Sequence, residues 1–174
     1  TNAAETGLTV CLIMDGQRAQ VTYPGTIALF DGGCLTEETL RSFDHVHFTG
    51  VYQQTAFLPR VTAALKLLRG LGISTSLDPQ WDETERWEYM DEWLMMLDYL
   101  FVNEAEARAI TGATGLEAAC CELGERTACP IVKAGPRGAL LWRDNLAQLI
   151  PPFRATVVDT TGAGDSFAAG ALFA

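Results

Sequence analysis

The sequence lacks any apolar run of the roughly 18 residues that a membrane-spanning helix needs; Asp98 interrupts the nearest candidate. Basic residues are scarce, 12 Lys and Arg against 22 Asp and Glu. The resulting net charge of −10 argues against nucleic acid or an anionic membrane as a broad partner. A nucleotide stays compatible, because a local cradle can hold it inside a negative field. The five cysteines are odd in number and show no C-x-x-C spacing, which excludes a disulfide framework and a zinc knuckle as simple readings. Such thiols fit a reducing cytoplasm. There are two histidines, His45 and His47, placed on one face of an expected strand. No third metal ligand has suitable spacing, so a structural role is the simpler reading. Thr1 to Glu5 carries neither the basic nor the apolar region of a signal peptide. The chain has no P-loop. A dinucleotide fingerprint counted from Gly162 and Gly164 fails at Phe167, where a third glycine would be needed.

What is present suits one domain: 174 residues, 48% of them hydrophobic, with no repeats and no low-complexity linker. The first third reads as β-rich, with strands over Leu8 to Met14, Ala19 to Tyr23 and Ile27 to Phe30, and turn signals at Asp15-Gly16 and Asp31-Gly32-Gly33. From His45 strands alternate with helices. Strands are expected over His45 to Thr49, Ile73 to Leu77, Tyr99 to Val102 and Pro130 to Ala134. Val61, Ala64, Leu65 and Leu68 follow helical spacing, as do Trp87, Met90, Leu94 and Leu97, and a further helix runs near Leu116 to Leu123. Ala139 to Trp142 and Gln148 to Ile150 form a hairpin. Acids crowd the stretch from Asp78 to Glu92, most simply as a solvated helix face. The alternation implies an α/β fold with a mostly parallel sheet, whose ligands gather at the carboxyl ends of the strands. Asn103, Lys133 to Gly135 and Asp159 to Asp165 each follow an expected strand, and so should share one edge.

The most specific stretch is Asp159-Thr160-Thr161-Gly162-Ala163-Gly164-Asp165-Ser166-Phe167. Thr156, Val157 and Val158 lead into it as a strand, and small helix-forming residues follow it. A strand, a glycine turn and a helix start present free backbone N–H groups to an anion. The amides of Ala163, Gly164 and Asp165 fit an anion hole, and the glycines let a phosphate approach closely. Asp165 lies beside them, placed to accept a hydroxyl proton. Read more plainly, the same turn is a helix capped by Thr161, with Asp165 favouring the helix dipole.

This string resembles the signature of the ribokinase-like (PfkB) carbohydrate kinases. The resemblance implies a ribokinase-like three-layer α/β/α fold with ATP and Mg2+ as cofactors, and it makes Asp165 the catalytic base. Asn103-Glu104-Ala105-Glu106 resembles the family's N-x-x-E landmark, in which Asn103 and Glu106 organise magnesium and phosphates; the same spacing is a capping box. Lys133-Ala134-Gly135-Pro136-Arg137-Gly138 resembles the nucleotide-side turn, with Lys133 reaching a phosphate and Gly135 and Gly138 shaping the loop. Asp78-Pro79-Gln80 resembles the family's D-x-N segment, with Gln80 where Asn is commoner; a plain Asp-Pro turn at the strand end is the favoured reading there. Asp159 suits a K+ site, as in some members, or local bracing of its own turn.

The family's G-G-x-x-x-N sugar segment has no match, since Gly32-Gly33 continues as Cys34-Leu35-Thr36, and nothing resembles the adenine-contacting loop. The expectation is a partial kinase domain over residues 1–174, incomplete at both ends. Its exposed edges would favour homo-oligomers. It would come from an enzyme that phosphorylates a hydroxyl of a sugar or sugar acid, and would itself turn over little. A vitamin or pyrimidine kinase of the same superfamily is the enzyme alternative. A non-catalytic ligand-binding module is the other.

Overall fold

The structure is a computed structural model and describes residues 4–14 and 17–174. A two-stranded antiparallel ribbon, β1 (Leu8–Met14) and β2 (Gln17–Tyr23), precedes the main body. Pairs such as Leu8 with Tyr23 and Val10 with Val21 put apolar side chains on one face of this ribbon, and these four are exposed. The turn expected at Asp15-Gly16 lies outside the described residues. Ile27 to Phe30 is not a strand but part of a 3-10 turn over Gly25–Leu29. Gly25 is left-handed (φ 52°), and the Ile27 N–H returns to the Pro24 carbonyl, so the segment curls where a strand would run straight.

The body is one six-stranded sheet in sequence order: β3 (His45–Thr49), β4 (Ser74–Asp78), β5 (Tyr99–Asn103), β6 (Cys129–Lys133), β7 (Ala139–Arg143) and β8 (Leu146–Ile150). The first four are parallel, and β6, β7 and β8 form an antiparallel meander. The expected hairpin is thus β7–β8. Gly138 makes its approach possible, because a Cβ there would stand 2.0 Å from the Ile150 carbonyl oxygen, at a φ of 98°.

A short helix α1 (Glu37–Leu40) opens on Thr36, whose side chain caps Thr39 N. The helices α2 (Val61–Gly70), α3 (Met90–Leu94), α4 (Glu104–Thr111) and α5 (Leu116–Gly124) follow in the segments between the strands. Leu65, Leu68, Trp93, Leu94, Leu100, Val102, Leu123 and Val132 form one buried core. Their spacing is the reason for the pattern: apolar side chains at helical period on α2 pack against β4, whose Leu77 is buried in the same core. The stripe Trp87–Leu97 is helical only from Met90, because Trp87 and Tyr89 take left-handed φ values of 49° and 66°. The acids before it are not all solvated. Asp82 is buried and accepts the Thr84 and Trp87 N–H groups, which ties that turn together.

The second face of the sheet is covered by α6 (Ala163–Phe173), through a smaller cluster of Phe101, Ile131, Ala139 and Ala168. The result is the three-layer α/β/α arrangement expected. The strand expected over Thr156 to Val158 does not form. Residues 151–157 have no regular structure, and Val157 and Val158 are exposed. A β-branched run favours extension but still needs a neighbour to bond to.

Candidate active site at the carboxyl edge of the sheet

Each of the four parallel strands ends in a polar residue: Thr49, Asp78, Asn103 and Lys133. Thr49 pairs with Asp78, and Asn103 with Lys133, so these residues stand in register along one edge. The sheet therefore does bring Asn103 and Lys133 together.

Asn103 is the N-cap of α4. Its side chain accepts from Glu106 N (2.9 Å), while Glu106 Oε2 accepts from Asn103 N (2.8 Å). The capping box is real, and it fixes Asn103 and Glu106 relative to each other. Glu106 is buried, and burial pushes its carboxyl above the usual range, with the Asp78 charge adding to the shift; the Asn103 hydrogen bonds and the Lys133 ammonium pull the other way. Lys133 Nζ lies 2.6 Å from Asp78 Oδ2, an ion pair that crosses over β5, which runs between β4 and β6. The Asp78 carboxylate is itself buried, so this is not a solvated strand-end acid.

The N-terminus of α6 comes to the same place. A Cβ added at Gly164 would lie 3.4 Å from Lys133 Nζ. Gly162, not Thr161, is the N-cap, in the left-handed conformation (φ 73°) and without a side-chain cap. The Ala163 N–H donates to the Thr160 carbonyl (3.1 Å), so it is already engaged by its own turn. Gly164 and Asp165, the next two residues, have amides that an α-helix leaves without intrahelical acceptors. Asp165 is exposed in the first turn. Phe167, two residues later, packs edge-to-face on Phe101 of β5 (6.4 Å, 79°), which fixes the helix on the sheet. Asp159 is exposed; its Oδ1 accepts from Thr161 N (2.7 Å) and Thr161 Oγ1 (2.8 Å), the bracing arrangement.

Asn103, Lys133, Gly135, Arg108 and Arg137 line a cleft of about 580 Å³ beside this edge. Arg137 pairs with Glu104 across it. Gly135 is left-handed at the turn after β6 (φ 56°), and Gly138 closes the same turn against β8. A cavity of about 590 Å³ at Ser74, Thr75 and Asp98 lies at the opposite, amino edge of the strands and includes none of these groups. For a divalent cation, the donors near the cleft are the Glu106 carboxylate and the Asn103 amide, hard oxygens that suit Mg2+. Among the described residues no cluster of three His, Cys, Asp or Glu forms a cage of its own. An ion held mostly by phosphates and water fits this arrangement.

The two histidines share a hydrogen-bond network with the serines of β4. Ser74 Oγ donates to the Asp44 carbonyl (3.0 Å), which uses its only proton. His45 Nδ1–H must then donate to Ser74 Oγ (2.8 Å), and neutral His45 accepts at Nε2 from Ser76 Oγ–H (2.7 Å). Ser76 Oγ in turn accepts from His47 Nδ1–H (2.7 Å). His47 also meets Phe101 edge-on (6.0 Å, 75°). Burial holds His47 below the usual imidazole range; the Asp78 charge opposes this, His45 reinforces it, and Asp165 and Lys133 act with smaller opposing signs. The one sequence clue to this network was the matched spacing of His45/His47 and Ser74/Ser76 on neighbouring strands.

Comparison with known proteins shows the family. The model of the pfkB family carbohydrate kinases matches residues 1–174, and the chain belongs to that family. It is 35% identical over 116 residues to a bifunctional ribokinase/ribose-5-phosphate isomerase A of Fructilactobacillus sanfranciscensis, covering 63% of this chain and 21% of that one. It is 32% identical over 136 residues to an ATP-dependent ribose-1-phosphate kinase of Halopiger xanaduensis, covering 78% and 43%. The crystal structure of an adenosine kinase from Sinorhizobium meliloti superposes with a TM-score of 0.84 at 22% identity, over 97% of this chain and 54% of that one. The ribokinase-like fold is therefore established. The chain spans less than half the length of both curated relatives. No helix among the described residues is long and apolar enough to cross a membrane.

Proposed function

We propose that this chain carries the phosphoryl-transfer edge of a cytoplasmic kinase that moves the γ-phosphoryl group of ATP to a hydroxyl of a sugar or sugar derivative. The single observation that carries the reading is the convergence of Lys133, the Asn103–Glu106 pair and the first turn of α6 at one sheet edge. In this reading the Gly164 and Asp165 amides face the oxygens of the transferring group, and they need no reorganisation when charge develops there. Asp165 accepts the acceptor's hydroxyl proton as the new bond to phosphorus forms. Lys133 and the Gly135–Gly138 turn hold the nucleotide phosphates. Mg2+, when bound, neutralises phosphate charge, with Glu106 and Asn103 orienting its water shell. Asp159 serves here as the brace of its own turn. The related proteins point to ribose and ribose 1-phosphate as first acceptors to try.

The test is a titration of the 15N-labelled chain with MgATP, joined to a γ-32P transfer assay with both acceptors. Amide shifts centred on Asn103, Lys133, Gly164 and Asp165 are expected. Transfer by the 174 residues alone is expected to be slight, and to fall to background in Asp165→Asn. Shifts elsewhere on the molecule, or transfer that persists in Asp165→Asn, would overturn the reading.

A further inference from the structure

We propose that Asp78 is a positioning residue of this edge: its carboxylate holds the Lys133 ammonium beneath the first turn of α6, where the remaining donors of that ammonium meet a bound phosphoryl group. The inference rests on the functional reading above.

A lysine ammonium is a point charge on a flexible four-carbon stem, and it stays in one place only when something anchors it. Here the anchor is Asp78, at 2.6 Å, with the two side chains only 6% and 18% exposed. The contact is not a by-product of neighbouring strands. Asp78 ends β4 and Lys133 ends β6, and the pair reaches across the end of β5. Its other end is equally constrained. Lys133 Nζ sits so close under Gly164 that a methyl group there would touch it at 3.4 Å. An ammonium has three donors, and the carboxylate occupies one of them. Lys133 Nζ stands beside Gly164 at the start of α6 with those donors left over, so cation and helix terminus act on the same anion.

Asp78 also settles which acid Lys133 serves. Glu106 and Asp165 are the other carboxylates in this neighbourhood; Glu106 feels Lys133 and Asp78 directly, and His47 feels Asp78, Asp165 and Lys133 together. Pairing with Asp78 keeps the ammonium from neutralising Asp165, which has no ion-pair partner among the described residues.

The opposite role for Asp78 would be simple repulsion of phosphate, and the two roles differ in sign. Tripolyphosphate affinity is measured by calorimetry at low ionic strength for the unaltered chain, Asp78→Ala, Asp78→Asn, Lys133→Ala and the Asp78→Ala/Lys133→Ala double variant. Asp78→Ala and Lys133→Ala should each bind about tenfold more weakly, and the double variant no more weakly than either. Asp78→Asn, which keeps an acceptor oxygen, should stay within about threefold of the unaltered chain. Tighter or unchanged binding in Asp78→Ala, or losses that add in the double variant, would refute the role given to Asp78 while leaving the phosphate edge standing. No binding by the unaltered chain would remove the edge itself and this inference with it. Should Asp78→Ala fail to fold, the 15N signal of the Lys133 ammonium decides: slow exchange in the unaltered chain is required, and a rapidly exchanging, disordered ammonium ends the proposal.

Discussion

Replacing Ser76 by Ala tests the hydrogen-bond chain on the α6 side of the sheet. Ser76 is fully buried, and its hydroxyl serves two imidazoles at 2.7 Å each. Removing it strands His47 Nδ1–H and His45 Nε2. Each lost bond costs about 1 kcal/mol net, and more where the orphaned group stays dry. His45 is half-buried and His47 is exposed, so water recovers part of the loss. The expected destabilisation is about 1.5–3 kcal/mol, which for a chain of this length lowers Tm by roughly 3–12 °C. Urea unfolding gives the free energy. A 15N correlation spectrum of the ring nitrogens gives the tautomers, which the network assigns as Nδ1–H for both histidines. In Ser76→Ala the His47 ring should lose that preference. A destabilisation under about 0.5 kcal/mol with unaltered tautomers would show that the serine does not organise the pair.

Two further outcomes concern the histidine pair and Glu106. His45 and His47 are held below the ordinary imidazole range by burial, so as pH falls below 6.5 the unfolded chain takes up protons before the folded one. Folding stability should therefore be complete above that pH and decline on acidification; the decline should be shallower in His45→Gln/His47→Gln, and equal pH slopes in urea titrations at pH 7.5 and 5.5 would contradict the assignment. Glu106→Gln separates the cap from the phosphate shell. Gln still satisfies the capping box, so stability at pH 7.5 should stay within about 0.5 kcal/mol or rise, while MgATP affinity should drop about tenfold. Undiminished MgATP affinity would make Glu106 a cap alone.

The α/β alternation was legible because helices and strands here carry clean periodicities, as at Val61, Ala64, Leu65 and Leu68. The capping box was legible too, since Asn103 and Glu106 lie three residues apart and interact locally. The Ile27 to Phe30 and Thr156 to Val158 runs show the limit of propensity. Both are apolar or β-branched, and neither found a strand to pair with. Asp78 read as an ordinary strand-end turn because its partner is 55 residues away.

The linear chain decided which residues end strands, which open helices, and that a glycine turn with an acid closes the last motif. These follow from interactions within a few residues, which composition and spacing encode directly. Folding in three dimensions decided that Lys133 pairs with Asp78 under Gly164, and that two histidines share one serine. Those contacts depend on strand order and register, which set distances that no local pattern records.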